Sequence, residues 1–252
     1  MAHNWIKKAV SICLALLVWQ MAADYVDFEI LLASPASVAG VLWDLVPASD
    51  TWITVVFSMA RILMGFGIGA AAGLVLAVLA DRAPLLDTLL WPYVTVMKSV
   101  PVASFIIIVL IWLGPRELSS FISFLMVFPV VYTNLLEGLR STDKKLLEMA
   151  KVHKVSWGKR LMYIYGPHLR SYLLSACSVA LGLSWKSGIA AEVIGVADGT
   201  IGERLYEAKI YMATDEVMAW TVLFLVVSIA LEKLLMQLLR AGFDRLEELL
   251  LI

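Results

Sequence analysis

The sequence predicts an all-α polytopic membrane protein of six transmembrane helices with one large cytosolic segment. Three observations carry that prediction. Of the 252 residues, 61% are hydrophobic and 16% charged, against about 45–50% and about 25% in a typical soluble domain. Several apolar runs reach the ~20 residues that a helix needs to cross a hydrocarbon core of roughly 30 Å. The charges are segregated along the chain, so the formal net charge of −1 says little about partners. This composition excludes a soluble enzyme and a disordered protein, and no polybasic block points to nucleic acid.

The spans follow in order. Lys7 and Lys8 precede an apolar run from Ala9 to Ala23, read as a retained first span because no small-x-small cleavage site is followed by a soluble domain. Residues 24–51 hold Asp24, Asp27, Glu29, Asp44 and Asp50 and no Lys or Arg. Residues 52–80 form the second span, closed by the Asp81-Arg82-Ala83-Pro84 turn. Leu85 to Leu113 is the third, interrupted by Lys98 and Pro101 and ended by Gly114-Pro115. Leu118 to Leu139 is the fourth, residues 140–170 are polar and basic, and Ser171 to Ile194 is the fifth. A polar connection, residues 195–215, leads to the sixth, Val217 to Leu239. This divides the chain into residues 1–51, a transmembrane core over 52–240 and a cytosolic tail over 241–252.

Loop charge supports the alternation. With the N-terminus inside, the outer segments carry only Arg116, Arg204 and Lys209. The inner ones carry Arg82, the eight cations from Arg140 to Arg170, and Arg240 and Arg245. Lysine and arginine accumulate on the cytosolic side of membrane proteins, so both termini are expected in the cytosol.

Polar and small residues inside the spans are the candidate functional positions. Gly65, Gly69 and Gly73 recur every four residues on one helix face, with Arg61 one turn before them. Small residues at this spacing admit a second helix backbone, either in ordinary internal packing or against a moving partner. Arg61 is expected to face protein or water, since an arginine at membrane depth is costly in lipid. Pro101 removes a backbone donor, so a kink is expected beside Lys98 and Ser99. Lys186 and Glu192 are six residues apart, about 240° around a helix, and are poor direct partners. Each contacts another helix or lies near an interface; for Glu192 the expectation is a carboxylate snorkelling to water.

Catalytic constellations are missing. His3, His153 and His168 form no metal-like pair, and Cys13 and Cys177 lie far apart in apolar stretches. No Walker-type loop, GxSxG, HExxH or intramembrane aspartate pair occurs. No cofactor is expected, and the chain reads as a pore or carrier component whose energy comes from elsewhere.

Residues 141–171, STDKKLLEMAKVHKVSWGKRLMYIYGPHLRS, could by composition lie on anionic lipid. Their sequence, however, resembles the coupling segment of bacterial ABC importer permeases, the binding-protein-dependent transport family. Glu148-Met149-Ala150 occupies the start of that family's Glu-Ala-Ala motif, and Pro167 stands at the distance of its Leu-Pro. SMARILMGFGIG, MKSVPVASFIIIVLIWLG and GLSWKSGIAAEVIG, the last followed by Gly199-Thr200-Ile201-Gly202, are similar to further family segments in the same order. Together they cover residues 52–240 and look most like the nitrate/sulfonate/taurine-type branch.

The resemblance implies a permease subunit of the bacterial inner membrane that dimerises, carries ABC ATPase subunits on its cytosolic face and receives a small solute from an extracytoplasmic binding protein. It implies that Glu148, Met149 and Ala150 dock into the ATPase. The family glycine six residues after the glutamate is Lys154 here, so either the turn is built differently or nearby Gly158 supplies it. The resemblance places specificity largely in the binding protein. The rival class is a self-sufficient secondary transporter or channel, which predicts inverted repeats and paired ionisable residues at the midplane; neither is clear in the sequence.

Overall fold

In a computed structural model describing residues 2–251, every regular element is helical. Met1 and Ile252, the two ends of the expected terminal segments, lie outside the described residues. Helix α1 (Ala2–Val26) contains an apolar stretch, Val10–Val26, shorter than the other spans. The outer segment over 24–51 is not simply a loop. It contains α2 (Pro35–Leu45), which starts where Ser34 Oγ accepts the Ser37 amide at 3.1 Å and Pro35 opens the first turn.

Helix α3 (Ser49–Arg82) spans 34 residues, about 50 Å at 1.5 Å per residue, so it outruns the bilayer. The expected kinked third span is two helices, α4 (Pro84–Ser99) and α5 (Val102–Leu113), bent by 109°. The reason is local. A proline disfavours helical backbone in the residue before it, and Val100 is extended at φ −77°, ψ 134°. After the positive-φ Gly114 comes α6 (Pro115–Arg140). The segment over 141–165 forms α7 (Lys144–Val152), α8 (Trp157–Arg160) and one π-type turn, Leu161–Tyr165. Helix α9 (Gly166–Gly195), the short α10 (Ile201–Ile210) and α11 (Thr214–Leu251) complete the order.

Four of these segments, α3, α6, the run Trp157–Gly195 and α11, are each long and apolar enough to cross a membrane, and the bent α4–α5 pair makes a fifth. The 17-residue stretch in α1 sits where the remaining expected span falls; it is at the short limit of crossing helices. The chain is an all-α polytopic membrane protein.

The core is α3 against α6 and α6 against α9. Helix α3 runs parallel to α6: Gly65 faces Ser120 and Ser123, Gly69 faces Phe124 and Val127, and Gly73 faces Phe128, Val131 and Tyr132. A Cβ at Gly65 would lie 2.0 Å from the Ser120 carbonyl oxygen, so glycine there is what lets the backbones touch. Helix α9 returns antiparallel, with Gly188 against Ile62 and Ser123 and Gly138 against Leu169 and Tyr172.

Candidate functional site: a packed helical core and an exposed helix between two spans

Three regions hold the residues that chemistry would use. The first is the end of the core remote from α7, where Glu192 is wholly buried. Ser58 Oγ donates to Glu192 Oε2 at 2.8 Å and itself accepts the Ile201 amide at 2.9 Å. The Gly202 amide approaches the same carboxyl oxygen at 3.4 Å. The first turn of α10 is thereby fastened to α3 and α9 together. Arg61 and Ser119 also face this carboxyl, and Arg61 Nη1, Ser119 Oγ and Glu192 Oε1 are buried without hydrogen-bond partners. Arg61 lies 4.2 Å over the Phe57 ring, and its carbonyl accepts from Ser120 Oγ at 2.9 Å.

Glu192 therefore does not snorkel. Its offset from Lys186 does not decide its surroundings, because its partners come from α3 and α10. Gly188, one turn earlier on the same face, is pressed against Ile62, and that small residue was the available signal of a packed face.

The second region is the break between α4 and α5. Lys98 and Pro101 are exposed there, as is Lys186 on α9. The carboxylate nearest in sequence to Lys98 belongs elsewhere: Asp87, at the start of α4, accepts from Arg140 at 2.7 Å and from Tyr132 Oη at 2.8 Å. The structure thus separates Lys98 and Lys186 from Arg61 and the glycine face, which are turned into the core.

The third region is the polar segment between α6 and α9. Asp143 caps α7 by accepting the Lys145 amide at 2.8 Å. Ala150 is buried, whereas Glu148 and Met149 are exposed. Leu146, Met149 and Val152, at 45%, 53% and 79% exposure, make an apolar strip beside Glu148.

The helix ends in a complete Schellman cap: the Val155 amide bonds to the Ala150 carbonyl, the Lys154 amide to that of Lys151, and Lys154 adopts φ +52°. The turn stands where the family glycine is expected, but a lysine makes it. Gly158 sits inside α8 with ordinary helical backbone and does not supply it. Behind the segment, Arg82 stacks 3.3 Å over the Trp157 ring, and Ser141 Oγ bonds with His168 and Tyr172. The segment around α7 and α8 is thus tied to the end of α3, and the end of α6 to the start of α9. Among the described residues, no three His, Cys, Asp or Glu side chains converge as metal ligands.

A helical core with a broken span and a separately capped helix between two spans is the architecture of an all-α polytopic membrane protein. The comparisons place it further. Residues 52–247 match the model of the family described as "Binding-protein-dependent transport system inner membrane component", and the chain belongs to that family. It is the permease subunit of an ABC importer, a multi-pass protein of the inner membrane. Proteins named as aliphatic sulfonates transport permease protein SsuC are similar to it. The one from Bacillus subtilis (strain 168) is 25% identical over 89% of this chain and 82% of its own length; that from Escherichia coli (strain K12) is 30% identical over 82% and 79%. The taurine transport system permease protein TauC of Escherichia coli (strain K12) is 27% identical over 76% of this chain and 66% of its own.

Proposed function

We propose that this permease carries a small solute inward, with α7 as the handle by which a partner ATPase moves it. The observation that supports this most is the α7 surface: an apolar strip of Leu146, Met149 and Val152 exposed next to Glu148, on a helix that buries the neighbouring Ala150. An exposed apolar strip on a helix outside the bilayer calls for a protein partner. The reading extends to a permease homodimer, to an extracytoplasmic binding protein at the outer mouth and to both termini in the cytosol. Lys98, Pro101 and Lys186 line the pathway, while Arg61, Gly65, Gly69 and Gly73 serve helix packing. Residues 52–240 act as the permease core.

A second reading, a self-sufficient carrier or channel, predicts normal transport without any ATPase. The deciding experiment is co-purification of the cognate ATPase with Glu148→Lys or Met149→Asp. Both variants should insert normally and lose the ATPase. Retained ATPase in both contradicts the proposal. For orientation, a cysteine at Ser37 should react with an impermeant reagent from outside and one at Thr142 should not; reversed labelling overturns the assigned topology.

A further inference from the structure

We infer that the recess between α2, α10, α11 and the start of α3 is a binding site for a small organic diamine, separate from the solute pathway proposed above. The recess encloses about 450 Å3, within the range of small-molecule sites. It lies at the end of the core remote from α7, and none of Lys98, Pro101 and Lys186 lines it.

The walls are helix stripes brought together. Arg204, Glu207 and Tyr211 follow one another at three and four residues on α10, and Glu216 and Trp220 stand four apart on α11. Residues at this spacing share a helix face, so both helices turn polar groups toward one space. The backing is apolar: Leu42 and Leu45 of α2 pack in the same cluster as Val55 of α3, Leu205 of α10 and Trp220 of α11.

Charge comes next. Asp44, Asp50, Glu207 and Glu216 line the recess against Arg204 alone. Arg204 pairs with Glu207 at 3.3 Å. The side chains of Asp44, Asp50 and Glu216 take no hydrogen bond or ion pair among the described residues. The neighbouring charges are engaged elsewhere: Glu203 accepts the Gly199 amide, Asp215 accepts the Glu216 amide, and Lys209 lies over the Tyr206 ring. Three carboxylates therefore share the recess with no cation of their own.

The floor points to an occupant. Thr51 and Thr54 are 4% and 5% exposed, line the recess, and have hydroxyls bonded to nothing among the described residues. Thr88, Thr95, Thr133 and Thr221, also within helices, each return the hydroxyl to the carbonyl four residues back. A buried hydroxyl that forgoes this bond is costly unless the recess provides a partner. Carboxylates, hydroxyl oxygens and the rings of Tyr211 and Trp220 all receive a protonated amine, which brings three N–H donors and a positive charge. Among the described residues no three acidic side chains are close enough together to hold a metal ion, so the fitting cation is one that reaches across the recess. A linear diamine does so, with one ammonium at the hydroxyl floor and the other among the exposed carboxylates.

The test is calorimetric titration of butane-1,4-diamine into the full-length permease, held in nanodiscs of zwitterionic lipid at constant ionic strength. Saturable binding is expected, with a higher melting temperature at saturation. Asp44→Asn and Glu216→Gln, both at exposed positions, should each weaken binding about tenfold, the scale of one charge-assisted hydrogen bond. Thr51→Val with Thr54→Val should weaken it about threefold, and the two carboxylate variants carry the test if this pair does not fold. Butylamine, with one ammonium, should bind about tenfold more weakly than the diamine. No saturable heat, an equal or tighter affinity for butylamine or for magnesium chloride, or an affinity unchanged in both carboxylate variants overturns the inference. So does loss of a binding protein from Asp44→Asn/Glu216→Gln without any diamine binding to the unaltered chain, which would assign the recess to a lysine of that partner. Co-purification of the ATPase, the test of the permease reading, is independent of each of these results.

Discussion

Lys186 and Glu192 stand six residues apart on the same helix and have opposite fates. The carboxylate is wholly buried, bonded to Ser58 and capped by the start of α10. The lysine is exposed beside an open strip. One side of α9 is built like the interior of a protein, with Gly188 and Ala191 bringing neighbours close enough to enclose a carboxyl. The other side is exposed at Val179, Leu183 and Lys186, and a Cβ at Gly182 would meet open space. A transporter needs both: a rigid body that can be moved as a unit, and a surface that stays unpaired until solute or a second subunit meets it.

The largest effect should come from breaking the sealed side. Gly65→Leu puts a side chain where even a Cβ would sit 2.0 Å from the Ser120 carbonyl. The overpacking should exceed about 3 kcal/mol and leave little folded protein by size-exclusion chromatography. Gly69→Leu, with its nearest neighbours at about 3.0 Å, should be destabilised less. Gly67→Ala, facing open space, should match or exceed wild-type melting temperature.

Next, Glu192→Ala leaves the Ser58 hydroxyl and the Gly202 amide without their acceptor. It should lower stability by roughly 1–3 kcal/mol, whereas Lys186→Ala should leave the melting temperature unchanged. Equal melting points for these two variants would erase the contrast between the faces.

A smaller effect, with the opposite sign, is expected in the cytosolic segment. Lys154→Gly removes a β-carbon from a left-handed position and should stabilise the α7 cap by about 1 kcal/mol, seen as slower proteolysis between α7 and α8. Smallest of all is Asp87→Asn. Its partner Arg140 is half exposed, so the change should stay below about 1 kcal/mol in thermal unfolding.

Much of this architecture was legible because the bilayer imposes simple rules. Apolar run length and loop charge give the spans, and the period of Gly65, Gly69 and Gly73 gives the face that meets α6. What stayed hidden depends on tertiary partners. Pro101 announced a bend, but only the extended Val100 beside it turns a kink into a break of 109°. Glu192 carried no local mark of burial beyond Gly188 one turn earlier, because its enclosure comes from Ser58 and Gly202, 134 and 10 residues away. Lys154 looked like a lost turn. Its hydrogen bonds show that the cap tolerates a lysine when the carbonyls of Ala150 and Lys151 are both satisfied.

If α7 is the handle, ATP hydrolysed by a partner moves this helical body and changes the exposed face of α9 around Leu183. The most direct measurement is the labelling rate of a cysteine placed at Leu183, exposed on α9, by a membrane-impermeant thiol reagent in the ATPase-bound complex, before and after ATP is added. The rate should change severalfold on ATP in the otherwise wild-type permease, and adding Glu148→Lys should abolish that response. An ATP-independent rate with hydrolysing ATPase bound, or a full response in the Glu148→Lys protein, would contradict it.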